Sequence, residues 1–275
     1  MIKLIALDLD GTTLNSQGKL TTVTRETLVQ AANQGIHVVI ATGRARCSLP
    51  EEVADLPGVE YVITSNGAAI TELQRDVLVY ENYIDALALE QVHRVLSQEK
   101  FMIEVFIRGR AYVEQHIFEN LEKVGLSDSH MSYVRRTRKP HVGVMDMMIR
   151  NKNLVENINI NFTDLQERRH MREKLLKLRD ITVTSSSQRN IEIGGATTSK
   201  ASALKALCER LGIHINQMMA CGDSHNDEAM LEVAGLAVAM GNAEEAVKQR
   251  AGYITGTNDQ DGVAEAIRKF ALGKG

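Results

Sequence analysis

The amino-acid sequence predicts a doubly wound α/β core with a parallel sheet, and an α+β domain inserted into that core. At both ends of the 275-residue chain, short apolar segments alternate with segments of helical periodicity. Most of these apolar segments stop at a polar, glycine-containing motif, which is typical of a strand followed by a loop. In the middle of the chain the alternation is lost. The length favours two domains over one.

The N-terminal part is predicted to contain three strands and a helix. Lys3–Leu9 is a short, apolar and partly β-branched segment, which predicts a buried strand. Thr24–Asn33 has helical spacing, and Gly35 lies where a helix stop is expected. His37–Ala41 and Tyr61–Thr64 are further apolar strands. Strands separated by a helix indicate a parallel sheet with helices on both faces.

The C-terminal part repeats this pattern, so both ends are expected to form one sheet. Its predicted helices and strands are Ala201–Leu211, Met218–Cys221, Glu228–Ala234, Leu236–Met240, Ala243–Arg250 and Asp261–Leu272.

The middle of the chain mixes two helices with several strands and lacks strict alternation, which indicates an α+β unit. The predicted helices are Ala86–Gln98 and Leu165–Leu178, and the predicted strands are Met102–Ile107, Ala111–Glu114, Val142–Ile149, Asn157–Phe162 and Ile181–Ser185. We predict a core of residues 1–82 and 190–275 with an inserted domain of residues 83–189. Two features stay open. Met145, Met147 and Met148 fit buried strand packing or an adaptable pocket, and the basic run 135–139 fits a solvated loop or an anion-attracting patch.

Composition excludes several classes of protein. The net charge of −3 lacks the basic excess of a nucleic-acid binder. No stretch of about 20 apolar residues is present to span a membrane, and the start lacks the pattern of a signal peptide. Cys47, Cys208 and Cys221 are scattered and odd in number, which fits a reducing compartment and predicts a cytoplasmic protein. The oligomeric state is left open.

The first candidate motif is Asp8-Leu9-Asp10-Gly11-Thr12, directly after the first strand. Ligands bind beyond the carboxyl ends of strands in open α/β sheets, and the two carboxylates can converge there. Two neighbouring carboxylates repel each other unless a proton or a cation intervenes, and a hard divalent metal ion is suited to oxygen ligands. An Asx-turn is the other interpretation.

Two shorter motifs add possible phosphate ligands. Thr42-Gly43 follows the second strand, where a hydroxyl and backbone N–H groups can hold a phosphate oxygen or form an ordinary turn. Ser199 is a predicted N-cap, which places Lys200 in the first turn of a helix. A lysine there opposes the helix dipole unless an anion is nearby, although a solvent-exposed lysine is equally consistent.

The last motif is Asp223-Ser224-His225-Asn226-Asp227, after the strand Met218–Cys221. Helix capping explains one of its acidic residues but not the whole cluster. Its oxygen-rich composition favours magnesium, so His225 is expected to be structural or exposed. Together, the motifs supply a nucleophile, an acid/base, metal ligands and phosphate donors, as phosphoryl transfer through an aspartyl-phosphate requires.

As an ordered set, these motifs resemble the haloacid dehalogenase (HAD) superfamily, and within it the Cof-type phosphatases. The matching segments are 8–12, Thr42, Lys200 and 222–227, with further matches at 41–44, 65–68 and 261–264. The resemblance covers the whole chain, although the inserted domain matches only in length and general character. It implies a Rossmann-like core with an inserted α/β cap that sets specificity. The sequence departs from the family's usual pattern at Thr13 and at 201–202.

The resemblance also implies a role for each matching residue. Asp8 is the expected nucleophile and Asp10 the general acid and base. Mg²⁺ is expected on the side chains of Asp8 and Asp223 and on the backbone carbonyl of Asp10, with Asp227 supporting the metal shell or the lysine. The residues expected to hold the phosphoryl oxygens are Thr42, Gly43, Lys200, Asn226 and the backbone N–H groups near Leu9.

We therefore predict a magnesium-dependent phosphatase for a small phosphorylated metabolite, such as a sugar phosphate, with neither nucleic acid nor membrane as partner. Two other functions stay open: a phosphomutase with the same chemistry, and a catalytically silent regulator that binds a metabolite.

Overall fold

A computed structural model describes residues Met1–Gly273 as two compact units. The first unit comprises Met1–Gly43, Leu49–Glu81 and the part of the chain that begins at Ser199. The second comprises Arg44–Ser48 and Asn82–Thr198. The last two residues of the predicted core segment, 274 and 275, lie outside the described residues.

The first unit is built on an eight-stranded sheet with the order β14-β13-β12-β1-β2-β3-β4-β5. Its strands are β1 Leu4–Leu7, β2 His37–Ala41, β3 Val59–Thr64, β4 Ala69–Glu72, β5 Val77–Glu81, β12 Met218–Gly222, β13 Leu236–Ala239 and β14 Tyr253–Ile254. The strands from β14 to β3 are parallel, and β4 and β5 add an antiparallel hairpin. All residues of β1 and β12 are buried, as expected for central strands covered on both faces.

Helices complete the first unit. They are α1 Thr22–Asn33, α2 Glu51–Ala54, α8 Lys200–Leu211, α9 Glu228–Val233, α10 Glu245–Lys248 and α11 Gly262–Phe270. Helix α1 packs against α11, and α8 packs against α9. The predicted doubly wound α/β core is confirmed. The antiparallel hairpin β4–β5 was not predicted, although β5 is apolar in sequence; three of its five residues are exposed, unlike those of the central strands.

The second unit contains a six-stranded sheet with the order β10-β11-β9-β6-β7-β8. Its elements are α3 Ala86–Leu96, β6 Met102–Ile107, β7 Arg110–Glu114, α4 Gln115–Phe118, α5 Asp128–Thr137, β8 Arg138–His141, α6 Val144–Arg150, β9 Val155–Asn161, α7 Leu165–Leu175, β10 Ile181–Thr184 and β11 Asn190–Gly195. All strand pairs are antiparallel except β7–β8. Helices α3, α6 and α7 contribute to an apolar cluster of their own with the sheet.

The predicted strand Val142–Ile149 is wrong, because residues 144–150 form helix α6. Gly143 adopts a left-handed conformation just before the helix, and the Glu114 carboxylate accepts hydrogen bonds from the N–H groups of Gly143 and Val144 at 2.9 Å each. These contacts start a helix that the local pattern did not indicate. Met147 and Met148 are buried, so they pack in a core, but from a helix.

The basic run 135–139 is not a loop, since it spans the end of α5 and the start of β8. Arg135 is half-exposed, whereas the guanidinium of Arg138 is buried beside Glu104. The predicted helix Ala243–Arg250 is limited to the short α10. Among residues 1–273, no helix has the length and apolar character needed to cross a membrane.

Candidate active site

The candidate site lies at the carboxyl ends of three neighbouring strands of the first unit. Asp8 follows β1, Thr42 follows β2, and Asp223 follows β12. Because β12, β1 and β2 are adjacent and parallel, their ends meet at the same edge of the sheet. The strand order thus brings together residues that are more than 200 positions apart in the sequence.

Lys200 joins two acidic residues at the centre of the site. Its Nζ donates to Asp8 Oδ1 at 2.5 Å and to Asp227 Oδ1 at 2.7 Å. The Lys200 side chain is fully buried, and Lys200 is the first residue of α8. Ser199 caps this helix by accepting from Ser202 N–H, as predicted. The two carboxylates therefore offset the unfavourable position of a lysine near the positive end of a helix dipole.

Asp227 is anchored on both of its oxygens. Oδ1 accepts from Lys200, and Oδ2 accepts the backbone N–H groups of Asp223 and Ser224 at 3.0 Å each. Gly222 makes this geometry possible, since a Cβ at that position would lie 2.5 Å from Asp227 Cβ. Asp227 therefore fixes both the lysine and the loop that carries Asp223.

Asp223 is held by two hydroxyl groups. Thr12 Oγ1 donates to its Oδ1 at 2.9 Å, and Ser224 Oγ donates to its Oδ2 at 3.0 Å. Gly11 lies directly against this carboxylate, since a Cβ there would come within 2.5 Å of Asp223 Oδ2. Gly11 also has a φ of +80°, a conformation that favours glycine. Each carboxylate oxygen keeps a second lone pair for another ligand.

The buried charges shift three pKa values. Burial, reinforced by Asp227, raises the pKa of Asp8 well above its usual value, although Lys200 acts in the opposite direction. Burial and Asp227 also raise the pKa of Asp223 to about 6. For Lys200, burial alone would lower the pKa, but Asp227 and Asp8 outweigh burial and raise it, so the ammonium keeps its charge. A buried carboxylate, Asp8, and a half-buried one, Asp223, thus lack a full countercharge.

A cation fits this charge distribution. Oxygen atoms of Asp8, Asp223 and Asp227 lie within 4.8 Å of one another. Carboxylate oxygens are the ligands that Mg²⁺ favours. Asp227 accepts three hydrogen bonds, one of them from the Lys200 ammonium, whereas Asp223 accepts two from neutral hydroxyl groups and Asp8 accepts one from Lys200. Asp8 and Asp223 are therefore the better placed of the three to hold a metal ion.

Asp10 belongs to the turn after β1, and its side chain is exposed. The Leu9 carbonyl accepts from the N–H groups of Thr13 and Leu14 at 3.1 and 2.9 Å, which closes this turn. Thr13 Oγ1 also donates to the Asp8 carbonyl at 2.5 Å. The backbone around the predicted nucleophile and acid is thereby held by local hydrogen bonds.

The remaining predicted phosphate ligands lie on separate segments of the first unit. Thr42 is buried, and its N–H donates to the Ile63 carbonyl at 2.8 Å. Gly43 is half-buried at the end of the same segment. Asn226 is half-buried in the 3₁₀-helical turn His225–Asp227 before α9, and its Nδ2 donates to Asn66 Oδ1 at 3.0 Å. His225 is exposed and contacts Glu228, as expected for a residue outside the site.

Sequence reasoning assigned no role to three hydroxyl residues that the structure places in contact with the acidic residues. These are Thr12, Thr13 and Ser224. They lie inside the predicted motifs, but short polar side chains near a turn are common, so their type alone carries no signal. Asn66 belongs to the segment 65–68 that matches the family, but the sequence indicated no role for it.

Comparison with known proteins identifies the family. A family model described as haloacid dehalogenase-like hydrolase matches residues 5–267. The chain belongs to the haloacid dehalogenase-like hydrolases. It is a phosphatase of this family, a phosphoric monoester hydrolase, as the resemblance implied.

Several known proteins are similar to nearly the whole chain. The chain is 33% identical to the 5-amino-6-(5-phospho-D-ribitylamino)uracil phosphatase YcsE of Bacillus subtilis, over 98% of this chain and 96% of that protein. It is 31% identical to the phosphatase YwpJ of the same organism, over 97% and 99% of the two chains. The solved structure of a haloacid dehalogenase-like hydrolase from B. subtilis matches with a TM-score of 0.85 at 30% identity, and covers 98% of this chain and all of that one.

Proposed function

We propose that this phosphatase hydrolyses a small phosphorylated metabolite through an aspartyl-phosphate on Asp8, with Mg²⁺ as cofactor. The observation that carries the proposal is the buried contact between Lys200 Nζ and Asp8 Oδ1 at 2.5 Å. An ammonium group beside a carboxylate at a strand end stabilises the ionised form of the nucleophile, and it also attracts the phosphoryl group.

The metal ion would be held by the side chains of Asp8 and Asp223 and by the backbone carbonyl of Asp10. The concentration of negative charge supports this assignment, because burial and the neighbouring Asp227 carboxylate raise the pKa values of both side chains. Mg²⁺ at this position would neutralise charge on the nucleophile and on the phosphoryl oxygens. Asp227 would support the site by fixing Lys200 and the Asp223 loop.

The chemistry on the protein takes two steps. In the first, an Asp8 carboxylate oxygen attacks phosphorus, the bond from phosphorus to the ester oxygen breaks, and Asp10 donates a proton to the leaving alcohol. In the second, Asp10 takes a proton from a water molecule, whose oxygen attacks phosphorus and releases inorganic phosphate and free Asp8. The exposed position of Asp10 supports this role, because proton exchange with a leaving alcohol and with water requires an accessible carboxyl group.

Several groups would bind the phosphoryl oxygens. The charged donor is Lys200, and the neutral donors are Thr42, Gly43, Asn226 and the backbone N–H groups near Leu9. These segments follow β1, β2 and β12 or begin α8, so each is fixed by the fold. Donors held in place before the substrate arrives stabilise the charge that develops in the transition state without further reorganisation.

For the substrate, we propose a phosphate ester of a small hydroxylated metabolite. YcsE, which matches this chain over nearly its whole length, is named for a substrate that carries its phosphate on a ribityl chain. We further propose that residues 83–189 are a cap domain that sets specificity. A cytoplasmic location and partners limited to such metabolites accord with this function.

The test is release of inorganic phosphate from a panel of sugar, polyol and nucleotide phosphates, with Mg²⁺ and with a chelator. We expect Mg²⁺-dependent release from polyol or sugar phosphates. Asp8→Asn should lower turnover by at least about 10³-fold while the folded structure, checked by circular dichroism, is retained, since it removes the nucleophile. Asp180→Asn, at an exposed turn, is the matched control and should behave as the wild type.

Acid quenching during turnover of ³²P-labelled substrate tests the intermediate. We expect a hydroxylamine-sensitive label on the wild type and none on Asp8→Asn. Activity of Asp8→Asn near the wild-type level, or activity unaffected by the chelator, would contradict the mechanism. An isomerised sugar phosphate instead of inorganic phosphate would indicate a phosphomutase.

A further inference from the structure

The turn Ser65–Gly67, directly after β3, has an unusual backbone. Its three consecutive residues have positive φ angles of 50°, 57° and 101°. Serine and asparagine rarely adopt this conformation, and both are buried here, with exposed fractions of 0% and 5%. Buried residues in such a conformation persist only where the surrounding structure holds them, and they cluster at functional sites.

The turn contacts three segments that carry phosphoryl-binding residues. Asn66 N–H donates to the Thr42 carbonyl at 3.0 Å. Gly67 packs against the start of α8 so closely that a Cβ would lie 2.1 Å from the Ser199 carbonyl oxygen and 3.0 Å from Lys200 N. The Asn66 side chain accepts from Asn226 Nδ2 at 3.0 Å. These contacts connect one turn to the ends of β2 and β12 and to the start of α8.

The contact between the two amides has a chemical consequence. An asparagine amide presents either NH₂ or oxygen after a 180° rotation, and only the NH₂ group can donate to a phosphoryl oxygen. Asn66 Oδ1 is an acceptor, so it favours the orientation in which Asn226 directs its nitrogen toward the turn. Asn226 Oδ1 is buried and has no hydrogen-bond partner among the described residues. The Asn66 contact is therefore the interaction that orients this amide.

We propose that the Ser65–Gly67 turn is a positioning element for phosphoryl binding, in which Asn66 orients the Asn226 amide. The inference rests on the proposed function, since it assigns Asn226 to the phosphoryl group. Asparagine meets two requirements at position 66 at once. It tolerates positive φ better than other residues with a side chain, and its carbonyl oxygen supplies the acceptor. Glycine would meet only the first requirement.

The test is a double-mutant cycle on Asn66→Gly and Asn226→Ala, measured as affinity for inorganic phosphate with Mg²⁺ by calorimetry. We expect Asn66→Gly to weaken phosphate binding by about five- to tenfold, the effect of one hydrogen bond. Its melting temperature should fall less than that of Asn66→Ala, because glycine accepts positive φ without strain. In the Asn226→Ala background, Asn66→Gly should have no further effect, because the amide that it orients is absent.

Two further variants separate positioning from stability. Asn66→Ala should lower the melting temperature as well as phosphate affinity, since alanine is strained at a φ of 57°. Asp180→Gly, at an exposed residue with a φ of 60°, is the matched control and should leave phosphate affinity unchanged.

Unchanged phosphate affinity in Asn66→Gly would overturn the inference, and so would an equal loss in the wild-type and Asn226→Ala backgrounds. Because phosphate binding needs no turnover, the result is independent of catalysis. If no phosphate ester is hydrolysed but phosphate binds with the expected coupling, the proposed function fails and the inference holds. If the wild-type protein does not bind phosphate, both fail.

Discussion

Replacing Lys200 by methionine tests the charge balance of the site most directly. Methionine has a similar length but no charge, so the variant leaves Asp8 and Asp227 buried without the ammonium that lies 2.5 and 2.7 Å from them. Removing one partner of a buried ion pair costs about 3–5 kcal/mol. For a protein of this size, each kcal/mol corresponds to about 2–4 °C. We therefore expect a melting temperature lower by about 6–20 °C at pH 8 without metal.

The loss should depend on pH. Without Lys200, the pKa of Asp8, which is already raised in the folded protein, rises further. A carboxyl group whose folded-state pKa lies above its unfolded value favours the folded state at low pH, and this contribution disappears as the pH rises through the folded pKa. The difference in melting temperature between wild type and Lys200→Met should thus be smaller at pH 5 than at pH 8.

Differential scanning calorimetry with a chelator, at both pH values, provides the measurement. The double variant Lys200→Met/Asp227→Asn should be more stable at pH 8 than Lys200→Met alone, since it removes one of the two uncompensated charges. Equal melting temperatures of wild type and Lys200→Met at pH 8, or a larger loss at pH 5, would refute the reasoning. Phosphate release should also fall sharply in Lys200→Met.

Two other predictions concern pH and the second unit. Asp223 has a pKa of about 6 in the folded protein, compared with 3.8 ordinarily. The free energy of unfolding without metal should therefore decrease as the pH rises from about 4 to above 6. Mg²⁺ affinity should increase over the upper part of that range, because the metal ion binds the ionised carboxylate. Calorimetric Mg²⁺ titrations at pH 5, 6 and 7 check this. Arg138→Met should lower stability by about 3–5 kcal/mol, because Glu104 would lose the guanidinium 2.8 Å away.

A contradicting result can be stated for the Asp223 prediction, and a control variant is available for the Arg138 prediction. Mg²⁺ affinity that is constant between pH 5 and 7 would contradict the assignment of Asp223. Arg135→Met is the matched control for Arg138→Met, because the half-exposed Arg135 lies 3.7 Å from Glu122 and such pairs contribute about 1 kcal/mol or less. The double variant Arg138→Met/Glu104→Gln should recover part of the loss. Urea unfolding that shows equal effects of the two arginine substitutions would exclude a special role of the buried pair.

The local pattern of the chain predicted the elements of the core well, and it did so for a physical reason. Strands buried on both faces must be continuously apolar, and β2 His37–Ala41 and β12 Met218–Gly222 carry that signature. The pattern failed at α6 Val144–Arg150, where a contact with Glu114, 30 residues earlier in the chain, starts a helix. The periodicity of neighbouring residues carries no information about a contact between residues so far apart in the chain.

The sequence by itself determined the α/β class, the order of the motifs and the chemical types of the residues in the candidate site, because strand ends and helix starts follow from local patterns. Only the tertiary structure decided which atoms meet. It showed Lys200 buried between Asp8 and Asp227, the hydroxyl groups of Thr12 and Ser224 on Asp223, and the contact of Asn66 with Asn226. Apart from the neighbours Ser224 and Asp223, the residues of these pairs lie 27 to 211 positions apart, and the packing of strands and helices in the core brings them together.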